Sequence, residues 1–113
     1  MATDVPVRGH LDLMLLAVVH AGPAHGYAII DQLRARSGGV FALPEGTVYP
    51  ALHRLEQEGL LSSRWAQASG RRRRVYELTR RGRGQLGTRR RGWGEFAAAL
   101  NNVLEGAECA TTI

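Results

Sequence analysis

The chain has 113 residues, of which 44% are hydrophobic, and a formal net charge of +5. This length fits a single domain with a modest core that a partner could complete. The longest apolar run, Leu13 to Val19, is too short to span a bilayer, residues 1–9 do not resemble a signal peptide, and Cys109 is the one cysteine. We therefore predict a cytoplasmic protein with no membrane segment and no intramolecular disulfide.

The first predicted element is a helix between His10 and His20. Its residues from Leu11 to Val19 are apolar on nearly every side, and Gly22-Pro23 stops it. A helix that is apolar all round must be covered on more than one face, so we expect part of it to meet a second subunit.

Two further helices are predicted before residue 60. The first, His25 to Arg36, has apolar residues at helical spacing and ends at Ser37-Gly38-Gly39. The second is expected to begin at residue 46 or 47, because Pro50 is tolerated only near a first turn, and to end before Gly59. Its apolar stripe follows the spacing i, i+3, i+4 and i+7: Val48, Ala51, Leu52 and Leu55.

An extended hairpin and a long helix follow. Residues 60–65 and 73–78 have strand character, and the segment between them, which includes Ser69-Gly70, indicates a flexible tip. Thr79 offers an N-cap for a helix over residues 80–106, after which residues 107–113 are expected to form a disordered tail. Five glycines between residues 82 and 94 each weaken this helix by about 1 kcal/mol relative to alanine. We expect it to depend on packing through its apolar stripe: Leu86, Trp93, Phe96, Leu100, Val103 and Leu104.

This order of elements predicts a mostly α fold with a small β-hairpin. Residues 1–79 would form a winged helix-turn-helix DNA-binding domain, and residues 80–106 a C-terminal dimerisation helix. In such domains the third helix enters the major groove, and the hairpin lies against the backbone or in the minor groove. The outward side chains from Thr47 to Arg54 are therefore the expected base-reading group.

Positive charge is concentrated in one third of the chain. Residues 64–91 contain eleven arginines and one acid, a net charge of +10, whereas residues 1–63 carry −2 and residues 92–113 carry −3. Four consecutive arginines, Arg71 to Arg74, fall in the predicted hairpin, where guanidinium groups can pair with phosphate. A charge run can also be a solvated face, and strand alternation could turn Arg72 and Arg74 away from DNA.

Several short motifs occur together in this order. They are Leu11-Asp12-Leu13, His25-Gly26-Tyr27, Gly46-Thr47-Val48-Tyr49-Pro50-Ala51-Leu52, Arg54-Leu55-Glu56, Gly59-Leu60, Gly70-Arg71-Arg72-Arg73, Tyr76-Glu77-Leu78-Thr79 and Gly82. Over residues 9 to 104 the chain thereby resembles the PadR family of bacterial transcriptional regulators, in its smaller subfamily with a short C-terminal helix. The resemblance implies a homodimer held by the first and last helices, which binds a palindromic operator, usually represses, and is released by a small molecule.

Carried over to this chain, the resemblance implies two groups of site residues. Those expected to contact DNA are His25, Tyr27, Thr47, Tyr49, Pro50, His53, Arg54, Arg71, Arg72, Arg73 and Arg74. Trp93 matches the position of a ligand-stacking tryptophan in multidrug-binding members, with the apolar Phe96 three residues after it as in those proteins, and Asp12, Leu13 and Ala17 would line the walls of that site. The alternative is that Trp93 and Phe96 are ordinary interface core.

The sequence indicates no enzyme, metal or cofactor site. The histidines do not repeat a metal-ligand spacing, and the serines lack the surroundings of a nucleophile elbow. We predict a sequence-specific transcriptional regulator, in the form of a homodimeric repressor of an adjacent operon that a small planar apolar ligand relieves. The alternative is a winged-helix interaction module that binds a protein partner, or DNA without sequence preference, and does not respond to a ligand.

Overall fold

The computed structural model describes the backbone of residues 4–112 and the side chains of residues 10–106. Within these residues the fold is mostly helical with one small antiparallel sheet. The elements are α1 (Asp4–Ala21), β1 (Ala24–His25), α2 (Gly26–Arg36), α3 (Glu45–Gln57), β2 (Leu61–Ala68), β3 (Arg71–Leu78) and α4 (Arg80–Thr112).

Helix α1 lies at the centre of the domain and contacts α2, α3, α4 and β3. It begins well before the predicted start at His10, and it ends at Ala21, as the Gly22-Pro23 pair indicated. Leu15, Leu16, Val18 and Val19 are buried, whereas the neighbouring side of the helix is only partly covered. The single chain therefore supplies most, though not all, of the cover that an apolar helix needs.

Helix α2 begins directly after a short strand that the sequence analysis missed. Strand β1 pairs Ala24 with Tyr76 and His25 with Val75, so the sheet has three strands, in the order β1-β3-β2, rather than the two of a hairpin. Two residues are too few to carry an alternating pattern. His25 also caps α2, because its Nδ1 accepts a hydrogen bond of 3.2 Å from the backbone N–H of Ala28.

Helix α3 starts at Glu45 after an extended N-cap at Pro44, slightly before the predicted start. Its predicted apolar stripe is confirmed, since Val48, Ala51, Leu52 and Leu55 are all buried. Gly59 takes a φ of +79°, and the backbone N–H of Leu60 donates to the carbonyl of Leu55 at 2.9 Å. A left-handed glycine followed by such a bond is a common helix C-terminus, as expected at this position.

Strands β2 and β3 pair along their full length, from Leu61 with Leu78 to Ala68 with Arg71. The prediction of a flexible tip between residues 65 and 72 is therefore wrong. The chain turns in two residues, Ser69 and Gly70, whose φ values are 55° and 75°. Positive φ at both central positions matches a type I′ turn, whose twist fits the twist of two paired strands and lets pairing continue to the end.

Helix α4 is capped by Thr79, as predicted: the Thr79 Oγ1 accepts a hydrogen bond of 2.9 Å from the backbone N–H of Gly82. Gly82 packs against the backbone carbonyl of Leu60 so closely that a Cβ atom there would overlap it. The helix runs to Thr112, past the predicted boundary at residue 106. The side chains of the predicted tail, 107–113, lie outside the described residues, and the division into domains stays a prediction.

Among the side chains of α4 up to residue 106, those near the start of the helix pack into the core. Leu86 is buried, but the rest of the predicted stripe is exposed, with Trp93, Phe96, Leu100, Val103 and Leu104 between 44% and 69% accessible. The helix gives the domain a longest dimension of 62 Å against 27 and 22 Å in the other directions. A long row of large apolar side chains is thus left uncovered on a projecting helix.

Candidate nucleic-acid interface

The outer face of α3 carries the side chains that the sequence assigned to base reading. Thr47, Pro50, His53 and Arg54 are exposed, because the opposite face holds the buried stripe of the helix. Tyr49, which the sequence analysis took to be solvent-exposed, is instead partly buried. The third helix therefore presents a polar ridge with one tyrosine at its side.

Tyr49 connects α3 to α2 and to the hairpin. The rings of Tyr49 and Tyr27 form a T-shaped pair, with centroids 6.4 Å apart and an interplanar angle of 81°. Arg73 lies over Tyr27, with its Cζ 5.3 Å from the ring centroid. Gly26 lies against the Tyr49 ring and leaves no room for a Cβ. Burial, together with Tyr27 and Glu45, raises the pKa of Tyr49, so its hydroxyl remains a hydrogen-bond donor.

His25 stands beside this cluster at the start of α2. Burial, and then the nearby charge of Arg73, lower the pKa of His25, so its imidazole is neutral at pH 7. Since Nδ1 accepts from Ala28, the proton of the neutral ring is on Nε2. The ring thus offers one N–H donor next to the N-terminus of a helix.

Alternation along β3 divides the four arginines between two faces of the sheet. Arg72 and Arg74 share one face with Trp65, with their Cζ atoms 5.4 and 5.7 Å from its ring, whereas Arg71 and Arg73 lie on the other face. The Arg74 Nε–H donates to the Ser63 Oγ at 2.8 Å, and its Nη2 lies 3.6 Å from the Glu56 carboxylate. Arg74 is therefore tied to the base of the hairpin and to α3, while Arg71 is exposed.

Arg54, on the other side of α3, is paired with a residue that the sequence placed in a different site. Its two terminal nitrogens each donate to Asp12 at 2.8 Å, and Arg89 of α4 donates to the same carboxylate at 3.4 Å. The hydrogen bond from Arg54 and its charge, assisted by Arg89, lower the pKa of Asp12 against the opposing effect of burial. Asp12 therefore links three helices.

The ring of Trp93 lines an open cavity of about 340 Å³ between α1 and α4. Trp93 lies 4.9 Å from the ring of His10 and 5.9 Å from that of Phe96, measured between centroids. Of the five predicted ligand residues, Leu13, Trp93 and Phe96 line this cavity; Ala17 lines a separate cavity, and Asp12 is held in its ion pairs.

Three residues of the Trp93 cavity were absent from the sequence prediction: Gly92, which is next to Trp93 in the chain, and the side chains of His10 and Arg89. The spacing of the two side chains could have indicated them, since Arg89 precedes Trp93 by one helical turn and His10 precedes Leu13 by three residues. Trp65 was likewise missed as a stacking partner for the arginines, although a strand residue opposite Arg74 is the expected place for one.

No helix within the described residues is long and apolar enough to cross a membrane. In the same part of the chain, no three His, Cys, Asp or Glu side chains come together as a group that could hold a metal ion.

Three helices followed by an arginine-rich hairpin, with the polar face of the third helix exposed beside it, define a winged helix-turn-helix DNA-binding protein. The model of the transcriptional regulator PadR-like family matches residues 15–88. The chain belongs to this family of transcriptional regulators, and the fold and family predicted from the sequence are confirmed.

Individual relatives support this family assignment in sequence and in structure. The transcriptional regulator Rv3488 of Mycobacterium tuberculosis is 44% identical over 90 residues, which cover 80% of this chain and 81% of that protein. A PadR family transcription regulator of Clostridium difficile has a TM-score of 0.76 at 33% identity, covering 84% of this chain and 98% of its own. A transcriptional regulator of Clostridium thermocellum has a TM-score of 0.79 at 27% identity, covering 88% of this chain and 96% of its own.

Proposed function

We propose that this regulator is a homodimeric repressor that binds a palindromic operator in the cytoplasm, has no catalytic activity, and is released by a small planar apolar ligand. The observation that carries the proposal is the contact chain from Tyr49 through Tyr27 to Arg73. It brings the exposed face of α3 and the arginine hairpin (β2 and β3) together, which is the arrangement that reads a groove and holds the backbone at once.

Within this proposal the side chains divide the work of binding. Thr47, Tyr49, Pro50 and His53 meet base edges and sugars in the major groove, and Arg54 joins them when it leaves Asp12. Phosphate contacts come from the hairpin and from the N-terminus of α2, where backbone N–H groups favour an anion. The residues assigned to phosphate are His25, Tyr27, Arg71 and Arg73, while Arg72 and Arg74 act by stiffening the hairpin around Trp65.

The proposed dimer is supported by the uncovered apolar row on α4. Monomeric proteins rarely leave such a continuous apolar surface in water, and the stripe from Trp93 to Leu104 is exposed throughout. A second copy that packs its own α1 and α4 against this stripe would cover it. A two-fold dimer would also present two α3 helices to the two halves of a palindrome.

The proposed ligand site is the cavity beside Trp93. An indole next to a second aromatic ring, in a cavity of about 340 Å³, suits a planar apolar compound. Such a compound is expected to quench Trp93 fluorescence and to weaken DNA binding. Equal quenching in a Trp93→Phe variant, where Trp65 is the remaining tryptophan, would contradict this part of the proposal.

The decisive experiment is selection of protein-bound fragments from the host genome, followed by affinity measurements on the selected and on scrambled fragments at physiological salt. A specific regulator should enrich a palindrome and bind it at least about 10³-fold more tightly than scrambled DNA. A module that binds DNA by charge alone would enrich no palindrome and would follow salt concentration in the same way on every sequence. A protein-binding module would bind none of the fragments.

A further inference from the structure

Asp12 is a carboxylate shared by two arginines from different helices. Its Oδ2 accepts from the Nη1 of Arg54 at 2.8 Å and from the Nη1 of Arg89 at 3.4 Å, while its Oδ1 accepts from the Nη2 of Arg54 at 2.8 Å. Arg54 therefore binds Asp12 through both of its terminal nitrogens, Nη1 and Nη2. Arginine can use the same pair of nitrogens to bind guanine or phosphate.

The positive charge of Arg54 is largely offset by nearby carboxylates. Besides Asp12, the carboxylate of Glu58 lies 3.9 Å from its Nη1. To meet DNA, Arg54 has to leave Asp12, whose side chain is only 23% exposed. A partly buried carboxylate that loses its partner is costly unless another cation replaces it. Arg89 is already within reach to do so.

Arg89 has a second environment. Its side chain lines the Trp93 cavity together with Leu13 and Phe96. The same guanidinium thus borders the proposed ligand site on one side and the Asp12 carboxylate on the other.

We propose that Asp12 is a positioning residue that couples the Trp93 cavity to the DNA-reading helix, because Arg54 and Arg89 compete for its carboxylate. This inference rests on the proposed DNA-binding function. When Arg89 pairs with Asp12, Arg54 is released for DNA; when Arg89 is drawn away by an occupant of the cavity, Asp12 holds Arg54 and DNA binding weakens. The coupling is reciprocal, so bound DNA withdraws Arg89 from the cavity.

The competition can be tested without any ligand, since removing the Arg89 guanidinium imitates its withdrawal. Arg89→Met keeps an unbranched side chain at the cavity wall but leaves Asp12 to Arg54 alone. Arg90→Met is the matched control, because it removes the same charge from an exposed neighbour on the same helix. Measured on the selected operator, Arg89→Met should bind about fivefold or more weakly than Arg90→Met.

The second arm removes the shared carboxylate with Asp12→Asn, which keeps its shape. In that background Arg54 no longer has to leave Asp12 and keeps only its longer contact with Glu58, so Asp12→Asn should bind the operator at least as tightly as the wild type. Adding Arg89→Met should then weaken binding no more than adding Arg90→Met. A purely structural role for the ion pairs predicts the reverse: weaker binding by Asp12→Asn and an Arg89→Met effect that persists in it.

The outcomes separate this inference from the function on which it rests. If the wild type shows no preference for any operator, the proposed function fails and the inference with it. If operator preference is present but Arg89→Met and Arg90→Met behave alike in the wild-type background, the coupling through Asp12 is overturned and the proposed function stands. An Arg89→Met effect that survives Asp12→Asn overturns it in the same way.

Discussion

Gly26 packs closely against the ring of Tyr49, at the point where the start of α2 meets α3. A Cβ atom at residue 26 would overlap the ring, and Gly26 is itself buried. The position of the tyrosine at the edge of the proposed reading face therefore depends on the absence of a single methyl group on the neighbouring helix.

Gly26→Ala is expected to displace Tyr49 and to reduce operator preference, because the added methyl can be accommodated only by moving the ring. Overpacking of this kind costs about 1 to 3 kcal/mol of stability. Urea unfolding and operator affinity measure the two effects. Gly46→Ala, at a glycine with open space around it, serves as the control and should leave the Tyr49 ring in place; an equal loss of preference in both variants would contradict the steric explanation.

Tyr49→Ala and Arg71→Ala should weaken DNA binding in different ways. We expect Tyr49→Ala to cost about 1 to 3 kcal/mol on the operator and to relax base preference, since it removes a group from the reading face. Arg71→Ala should weaken all sequences alike and reduce the salt slope by about one phosphate. Affinities on operator and scrambled DNA at several salt concentrations distinguish the two patterns, and unchanged DNA affinity in Tyr49→Ala would favour a protein-binding module.

The pairing of Asp12 with Arg54 should give the protein a pH-dependent stability in the acid range. Because the folded-state pKa of Asp12 is lowered from its ordinary value of 3.8, the ion pair contributes stability above that value and loses it as the pH falls through the lowered pKa. Thermal unfolding of the wild type and of Asp12→Asn should therefore differ most near neutral pH and converge below about pH 4. A constant difference across this range would show that the charge of Asp12 does not contribute.

Two neighbouring glycines of α4 should respond in opposite directions to alanine. Gly82→Ala is expected to destabilise strongly, because its methyl meets the backbone carbonyl of Leu60, which cannot rotate away. Gly84 has open space, so Gly84→Ala should stabilise the helix by about 1 kcal/mol through propensity alone. Denaturant unfolding measures both free energies, and a destabilising Gly84→Ala would reveal a contact at that position in the assembled protein.

The proposed dimer predicts a folded monomer when a charge is placed in the apolar row of α4. Leu100 is 45% exposed in the single chain, so Leu100→Glu should leave the winged-helix part folded and separate the subunits. Operator binding should then weaken by about two orders of magnitude or more, since each half-site is held without the linked second site. Sedimentation gives the mass and circular dichroism the fold; Glu105→Gln at an exposed position of the same helix is the control.

Local signals in the sequence were sufficient for much of the fold. The buried stripe of α3, the Thr79 cap and the Gly59 terminus each depend on residues within one or two helical turns, and the structure agrees with all three. Strand β1 was missed because two residues carry no pattern. The hairpin tip was misjudged because full pairing depends on the type I′ geometry of Ser69-Gly70 as well as on strand propensity.

The candidate site could be predicted less completely, for a different reason. Asp12 and Arg54 are 42 positions apart, and no periodicity relates them, so the sequence assigned one to a ligand wall and the other to free base reading. Arg89 was overlooked because it is one of eleven arginines between residues 64 and 91. Composition shows that this segment is positively charged, but it does not show which acidic group each arginine contacts. Only the packing of α1 between α3 and α4 brings these side chains together.

The ties between Arg74, Ser63 and Glu56 fix the arginine hairpin to α3 at its base, and the hairpin beyond them is paired to its last residue. The distance between the exposed face of α3 and the arginine hairpin is thus set by contacts within the protein. Under the proposed function, each half-site therefore needs a constant spacing between the bases that α3 reads and the phosphates that the hairpin contacts. An operator lengthened by one base pair within a half-site should lose binding, whatever its sequence.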